Sequence, residues 1–348
     1  MNGLPVHFGG PDLPERALRN LLLARIEAVP AGGWIRWATY YFRDLELAAA
    51  LVSAAVRGVD VRVAVEGQPR RSGTNKEVIA LLRAGLPARS LCVLKPPPGP
   101  WAKTHRHLHA KIYGFSHPHP AVLVGSFNPS GNEPEDPEVI AEIGDQDRGH
   151  NMLVELTDPE LVIGLARHVD GLCGAGGTMA ARLLPGQNRV LRTPDTSIYF
   201  FPRLNTGVPG RMLTTGRPHS IRGAISHLKS GQIVSMLEKA ARRGTRVELL
   251  VHDTERRVPQ GVIARLLAAG GNIRRYVRPD KLPLHAKFLL IEGATQSRAL
   301  FGSFNFNPRS RFLNHEVLVQ SSNEGLVNAL AARFDEIARE ADGFDAQS

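Results

Sequence analysis

HAKIYGFSHPHPAVLVGSFN at residues 109–128 and HAKFLLIEGATQSRALFGSFN at residues 285–305 are two copies of one pattern. Each opens on His-Ala-Lys and closes on Gly-Ser-Phe-Asn, with 17 positions from His109 to Ser126 and 18 from His285 to Ser303. Between these ends lie apolar runs, KIYGF and AVLVG in one copy, KFLLIE and RALFG in the other, which read as the two strands of a hairpin. The ends of a hairpin lie side by side, so the His, Lys and Asn of each copy are predicted on neighbouring strands.

The repeat extends upstream. Residues 54–67 (AAVRGVDVRVAVEG) and 240–253 (AARRGTRVELLVHD) superimpose without a gap, each an Ala-rich helix end, an Arg-Gly stop and an alternating strand. Amphipathic helices follow at Glu77–Ala84 and Val258–Ala269, closed by Gly85 and by Gly270 with Gly271, then short strands at Ser90–Leu94 and Ile273–Val277 and a Pro-bearing loop. An opening strand, Leu4–Phe8, is matched by Ser197–Phe201. The pattern predicts an α/β protein of two pseudo-two-fold-related lobes, each a mixed β-sheet flanked by helices, with the motif hairpins meeting at the lobe interface. The lobes are expected over residues 1–170 and 197–348, joined by a linker over 171–196 where periodicity breaks. Gly33 to Gly58 spans 25 positions but Gly231 to Gly244 only 13, so the second lobe is expected to have one strand fewer or shorter. Trp34–Phe42 (WIRWATYYF) could line a lipid or base pocket but reads preferably as a buried amphipathic strand.

At 348 residues and 43% hydrophobic, the chain can bury one large core or two ordinary ones. Its two cysteines, Cys92 and Cys173, are too few for a disulfide framework or a structural zinc site and read as small buried hydrophobes. No apolar segment is long enough to span a bilayer, and the first residues lack a basic run followed by an apolar stretch; the expectation is a soluble, cytoplasmic protein. A net charge of +10 favours anionic partners, whether nucleic acid, acidic headgroups or smaller phosphate esters.

With both triplets and both quartets in place, the chain resembles the phospholipase D superfamily, whose signature is H-x-K, an acidic residue shortly after, and G-S-x-N one hairpin later. The resemblance covers nearly the whole chain and implies one active site built from both copies. A phosphodiester repels nucleophiles, so its oxygens must be neutralised, phosphorus attacked and the leaving alkoxide protonated. Lys111, Lys287, Asn128, Asn305, Ser126 and Ser303 can supply the neutralising groups with no metal and no cofactor. Of the two histidines, one must be neutral to attack and form a phosphohistidine, and the other protonated to serve as acid. The residues leave His109 and His285 equivalent; the resemblance puts the nucleophile at His109 and the acid at His285. Glu316 stands where family members often carry a carboxylate that orients a histidine. In the first half, aligning Asn151 with Asn314 puts Leu153 where Glu316 stands, with Glu142 and Glu155 as substitutes. The acidic residue after H-x-K is Ser116 in one copy and Glu292 in the other, which touches support of the lysine-bearing strand more than catalysis.

A rival reading starts from His105, His107 and His109, whose alternation would place all three on one face of a strand and could bind zinc. It leaves Lys111 and the whole second copy unexplained, so His105 and His107 are read as phosphate contacts or, preferably, surface residues. Three substrate classes fit: a phospholipid, with peripheral membrane contact; a nucleic acid; or a phosphate held by a non-catalytic binding module. The intact histidines and lysines argue against the last, and the lack of an aromatic-interleaved basic stripe favours phospholipid over nucleic acid. One chain carrying both copies can work as a monomer with no obligate protein partner.

With chelator present, His109→Ala and His285→Ala are each expected to abolish phosphodiester turnover, while His105→Ala and His107→Ala retain most of it. A dead His105→Ala beside an active His109→Ala would favour the zinc reading, as would turnover that returns only with added metal.

Overall fold

The computed structural model describes residues 3–95, 107–131, 137–174, 188–203 and 208–345. The first sheet holds β1 (Val6–Gly9), β2 (Trp34–Thr39), β3 (Asp60–Glu66), β4 (Leu91–Leu94), β5 (Ile112–Phe115), β6 (Ala121–Gly125) and β7 (Asn151–Leu156), in the order β1-β7-β6-β5-β2-β3-β4. The second holds β8 (Leu191–Arg192), β9 (Thr196–Phe201), β10 (Ser220–Ile225), β11 (Arg246–His252), β12 (Asn272–Tyr276), β13 (Lys287–Glu292), β14 (Ser297–Gly302) and β15 (Glu316–Ser321), in the order β12-β11-β10-β13-β14-β15-β9-β8. In each sheet three strands run parallel, β2-β3-β4 and β10-β11-β12, and the other pairings are antiparallel.

Parallel neighbours need crossovers, which the amphipathic helices supply. After α1 (Ala17–Glu27), α2 (Leu45–Val56) links β2 to β3 and α3 (Lys76–Gly85) links β3 to β4. α4 (Pro137–Ile143) and α5 (Pro159–Gly174) flank β7, and the second half adds α6 (Gly210–Thr214), α7 (Gln232–Arg242), α8 (Gln260–Ala268), α9 (Pro308–Phe312) and α10 (Glu324–Asp345). Asp44 caps α2 by accepting from Leu47 N at 2.8 Å. The repeated Arg-Gly stops end α2 and α7 on Gly58 (φ 93°) and Gly244 (φ 86°), a left-handed conformation that glycine adopts without steric cost.

Both faces of each sheet are covered. Leu22, Leu51 and Leu82 of α1–α3 pack on Trp37, Val63 and Leu153, and Val234, Leu237 and Leu266 of α7 and α8 pack on Ile221, Leu249 and Leu318. The inner faces share one core: Ile112, Val124 and Val154 from the first sheet, Phe288, Phe301 and Val319 from the second, with Leu165 of α5 and Leu330 and Phe334 of α10. Successive residues of a strand therefore bury into different cores, as Leu318 and Val319 do, so the strands read as nearly continuous apolar runs.

The second lobe does not have fewer strands. β10 is the counterpart of β2, and its sequence SIRGAI was hidden by an arginine and by Gly223, where a Cβ would stand 2.5 Å from the carbonyl oxygen of Phe288. The shorter Gly231–Gly244 interval holds only α7. The strand read over Trp34–Phe42 ends at Thr39, although Tyr40, Tyr41 and Phe42 are buried. Of the expected linker 171–196, α5 occupies the start, Leu191–Arg192 forms an extra edge strand, and residues 175–187 lie outside the described residues. Cys92 is half-buried, its thiol 3.4 Å from the Leu172 carbonyl; the side chain of Cys173 lies outside the described residues.

Backbone hydrogen bonds stitch the two halves together around the motifs. His109 N donates to His315 O at 2.9 Å, and His315 N to His107 O at 2.9 Å. Reciprocally, His285 N donates to His150 O and His150 N to Pro283 O, both at 3.0 Å. The lead-in to each His-Ala-Lys triplet is thereby paired with the lead-in to β7 or β15 of the other half.

The motif glycines are where backbone meets backbone. A Cβ at Gly125 would lie 2.0 Å from Met152 O, and one at Gly302, whose φ is 138°, 2.4 Å from Val317 O. Gly125→Ala and Gly302→Ala are each expected to destabilise by about 2–4 kcal/mol in urea unfolding, since backbone must move. Gly261→Ala, where a Cβ meets nothing within 4 Å, should be neutral or stabilise by up to about 1 kcal/mol. Equal effects at the three positions would contradict this packing.

Candidate active site

The stitching brings both histidines to one cavity of about 460 Å³, lined also by Tyr40, Tyr41, His107, Asn128, His227 and Asn305. His109 and His285 each sit just before a strand, β5 and β13, and Asn128 and Asn305 just after the hairpin partner, β6 and β14. The structure thus gathers the histidines and asparagines of both copies, as the hairpin reading requires.

Each histidine is held through Nδ1 by a residue of the other half. His109 Nδ1 lies 2.9 Å from Glu316 Oε2. A carboxylate can only accept, so Nδ1 carries the proton and Nε2 keeps its lone pair. Ser303 Oγ donates to the same oxygen at 2.7 Å, and Ser310 Oγ to Oε1 at 2.6 Å, with Asn314 Nδ2 at 3.4 Å. His285 Nδ1 lies 2.9 Å from Asn151 Oδ1, which also accepts from Ser126 Oγ at 3.1 Å, while Asn151 Nδ2 donates to Gln146 O.

Asn151 is therefore the counterpart of Glu316. Gly125 pairs with Leu153 and Gly302 with Leu318, so β7 and β15 correspond two positions away from the alignment that set Asn151 against Asn314. Matching His150 to His315 instead gives the observed register. Glu142 and Glu155 do not substitute: Glu155 is taken up by His7, Arg25 and His119, and Glu142 by Arg70 at 3.3 Å and Arg256 at 3.1 Å. Ser116 Oγ accepts from Trp34 N at 2.9 Å, and Glu292 pairs with Arg222 at 2.9 Å, both at the far ends of the lysine-bearing strands.

The serines and lysines lie deeper than expected from the sequence. Ser126 and Ser303 are fully buried; each hydroxyl donates to the histidine's partner and accepts the N–H of Met152 or Val317, so neither faces the cavity. Lys111 and Lys287 are also buried. Lys111 Nζ donates to His109 O at 2.7 Å and stands 5.5 Å from the Tyr40 ring centroid; Lys287 Nζ donates to His285 O at 2.8 Å and lies 3.1 Å from His285 Nε2. Their charges sit beneath the cavity floor. Asn128 approaches Tyr41 N and Gln146, whereas the buried Oδ1 of Asn305 has no hydrogen-bond partner among the described residues.

Burial shifts the titration of both motif histidines, both motif lysines and Glu316. Loss of solvent drives His109 down to about 4, against the pull of Glu316 and helped by Lys111 and Lys287. Burial holds His285 well below the ordinary histidine value, with Lys287, Arg257 and Lys111 adding to the effect. It also brings Lys111 down to about 7, opposed by Glu316, and Lys287 well below its usual range. Glu316 is raised by burial but on balance held low, chiefly by His109. Both imidazoles are therefore neutral at neutral pH.

Two residues for which the sequence favours a structural or surface reading line the cavity, and others carry no sequence signal. Tyr40 packs against His109 with ring centroids 5.0 Å apart and against His107 at 5.3 Å, so His107 belongs to the cavity wall. His105 lies outside the described residues, and among the described residues no three or more His, Cys, Asp or Glu side chains are grouped to hold a metal ion. His227 and Arg257 line the second-lobe side. Ser310, which holds Glu316, also escaped the sequence reading, although the Asn307-Pro308 start of α9 directly after the second motif was a local signal.

The family described as cardiolipin synthase, PLD-like domain, matches residues 30–158 and 212–338, a span in each lobe that includes its motif copy. Among solved structures, phosphatidylserine synthase from Haemophilus influenzae Rd KW20 superimposes with a TM-score of 0.69 over 98% of this chain and 88% of that one, at 12% identity. Polyphosphate kinase from Porphyromonas gingivalis gives a TM-score of 0.62 over 96% of this chain at 13% identity, and this chain spans about half of its length, 50%. At such identities the likeness is one of fold. No curated protein matches the sequence significantly. Two motif copies on a doubled α/β fold, with a family match in both lobes, place this chain in the phospholipase D superfamily, in the cardiolipin synthase, PLD-like family.

Proposed function

We propose that the chain cleaves or transfers phosphodiesters through a phosphohistidine on His109, with a phospholipid as substrate. The observation that carries the assignment of roles is the unequal pair of partners, a carboxylate behind His109 and an amide behind His285. Attack by His109 Nε2 on phosphorus leaves positive charge on the ring, which Glu316 stabilises through Nδ1–H. His285, backed only by a neutral amide, is the weaker base, and its protonated form is the better proton donor.

In the first step the new P–N bond forms as the P–O bond to the leaving alkoxide breaks, and His285 passes its proton to that oxygen. In the second, neutral His285 takes a proton from water or an acceptor alcohol, whose oxygen displaces His109 from phosphorus. His285 gains the first proton when the substrate's negative charge offsets the lysines beneath the floor. Lys111, Lys287, Asn128 and Asn305 stabilise the phosphoryl oxygens, while Ser126 and Ser303 act one step back by fixing Asn151 and Glu316. Membership of a family described by a phospholipid synthase supports a lipid substrate, and with it peripheral contact with a membrane. Among the described residues no helix is long and apolar enough to cross one.

The test is a nitrophenyl phosphodiester, whose leaving group needs no acid. His285→Asn is expected to release one equivalent of nitrophenolate and then stall, with an acid-labile adduct on His109 detected by mass spectrometry after alkaline quench. His109→Asn should give no adduct. An adduct on His285 would reverse the roles, and none in either variant, with inversion at phosphorus in the wild type, would remove the covalent step.

The pH profile provides a second check. Protonated His109 cannot attack, so kcat/KM should rise with pH through about 4; loss of the His285 acid proton, which burial shifts to low pH, and loss of charge on Lys111 at about 7 both lower it, so the profile should have fallen by about pH 7. Glu316→Gln removes the pull that raises His109 and Lys111, so both limbs should move to lower pH while turnover drops by about a hundredfold or more. Unmoved limbs would reduce Glu316 to a packing role.

A further inference from the structure

Arg257, in the loop between β11 and α8, is only 5% exposed and lines the cavity beside His227 and His285. Its side chain donates to two uncharged acceptors, Ser226 Oγ at 3.4 Å and the backbone oxygen of Glu142 at 3.2 Å. The Glu142 carboxylate is instead engaged by Arg256 and Arg70. Burial pushes the Arg257 guanidinium down to about 10, which leaves it charged at neutral pH. Asp253 and Glu142 favour its charge only through space, and among the described residues no carboxylate oxygen is hydrogen-bonded to it; a buried cation whose direct partners are neutral is costly, and an anionic ligand removes part of that cost.

The charge beneath the floor is already matched for a single phosphodiester. With a phosphate bound, whose charge draws both lysines to the ammonium form, Lys111 and Lys287 against Glu316 leave one net positive charge when both histidines are neutral, and a phosphodiester carries one negative charge. Arg257 therefore exceeds what the reacting group needs, as does Lys229, exposed on the rim of the same side. The guanidinium fork suits a phosphate, and a cavity of about 460 Å³ has room for two phosphates side by side.

We infer that the cavity takes a small or lipid-borne ligand with a second phosphate next to the reacting one, and that Arg257 and Lys229 form the subsite for that second group. The inference rests on the phosphodiester reading of the His109 cavity, and its test is one of binding, so the two can fail separately.

Calorimetric titration of the intact protein with inorganic pyrophosphate and with orthophosphate, at neutral pH and fixed ionic strength, measures the subsite directly. Pyrophosphate is expected to bind about tenfold tighter or more. Arg257→Gln should cut that ratio to about twofold, and Lys229→Gln, at an exposed position that folding does not depend on, to about a third of its wild-type value. Arg243→Gln, exposed at the end of α7, removes the same charge elsewhere and should leave the ratio unchanged. Equal affinities in the wild type would overturn the subsite. So would an Arg257→Gln that weakens both anions by one factor, since Arg257 would then serve the reacting phosphate. Displacement of pyrophosphate by a short DNA single strand at lower concentration and with a steep salt dependence would also overturn it, in favour of a strand-binding groove. A pyrophosphate preference that depends on Arg257, in a protein forming no His109 adduct, upholds the subsite and removes only the phosphohistidine; an adduct without the preference does the reverse.

Discussion

Four backbone hydrogen bonds that cross between the halves decide where the chemistry can happen. Because His109 N is tied to His315 O and His285 N to His150 O, each imidazole starts from a backbone registered on the opposite half. The residue following His315 is Glu316 and the one following His150 is Asn151, so the same stitches that set the histidines also deliver their partners. Neither half alone contains a complete histidine–partner pair. The shared inner core, drawn from both sheets with α5 and α10, keeps the two halves from sliding against this register.

On that frame the electrostatics follow from burial. Two lysine amines, two imidazoles and a carboxylate are packed at the buried end of the cavity, and Glu316 is the charge that makes the cluster tolerable. It lowers the cost of Lys111 and His109 together, while the serine of each motif copy supplies a hydrogen bond that fixes the partner rather than the substrate. The lysines, turned back onto the carbonyls of their own histidines, act on the cavity by field more than by contact.

The repeat, the hairpins and the gathering of both histidines at one cavity were legible in the sequence because they rest on identical residues at nearly identical spacing. What escaped was whatever depends on register between distant strands. Asn151 was read against Asn314 because like residues invite alignment, yet the pairing of Gly125 with Leu153 and Gly302 with Leu318 sets it against Glu316. β10 was missed because Arg222 and Gly223 interrupt its apolar run: one is paired with Glu292 and Asp335, and the other sits where a side chain would strike Phe288. The serines looked like phosphate ligands because hydroxyls often are; only burial shows them spent on Asn151 and Glu316. Arg257 carries no motif at all, and it becomes visible only when the neutral acceptors of its hydrogen bonds are set beside its burial.

The unequal partners of the two histidines bear on how such a site can diversify. An assembly of two identical chains must place the same residue behind both imidazoles, since one codon writes both positions, and any change that sharpens the attacking base alters the acid in the same way. Two halves on one chain lift that restriction. Glu316 and Asn151 occupy equivalent positions, and each can be exchanged without touching the other, so the two ends of the reaction become separately adjustable traits.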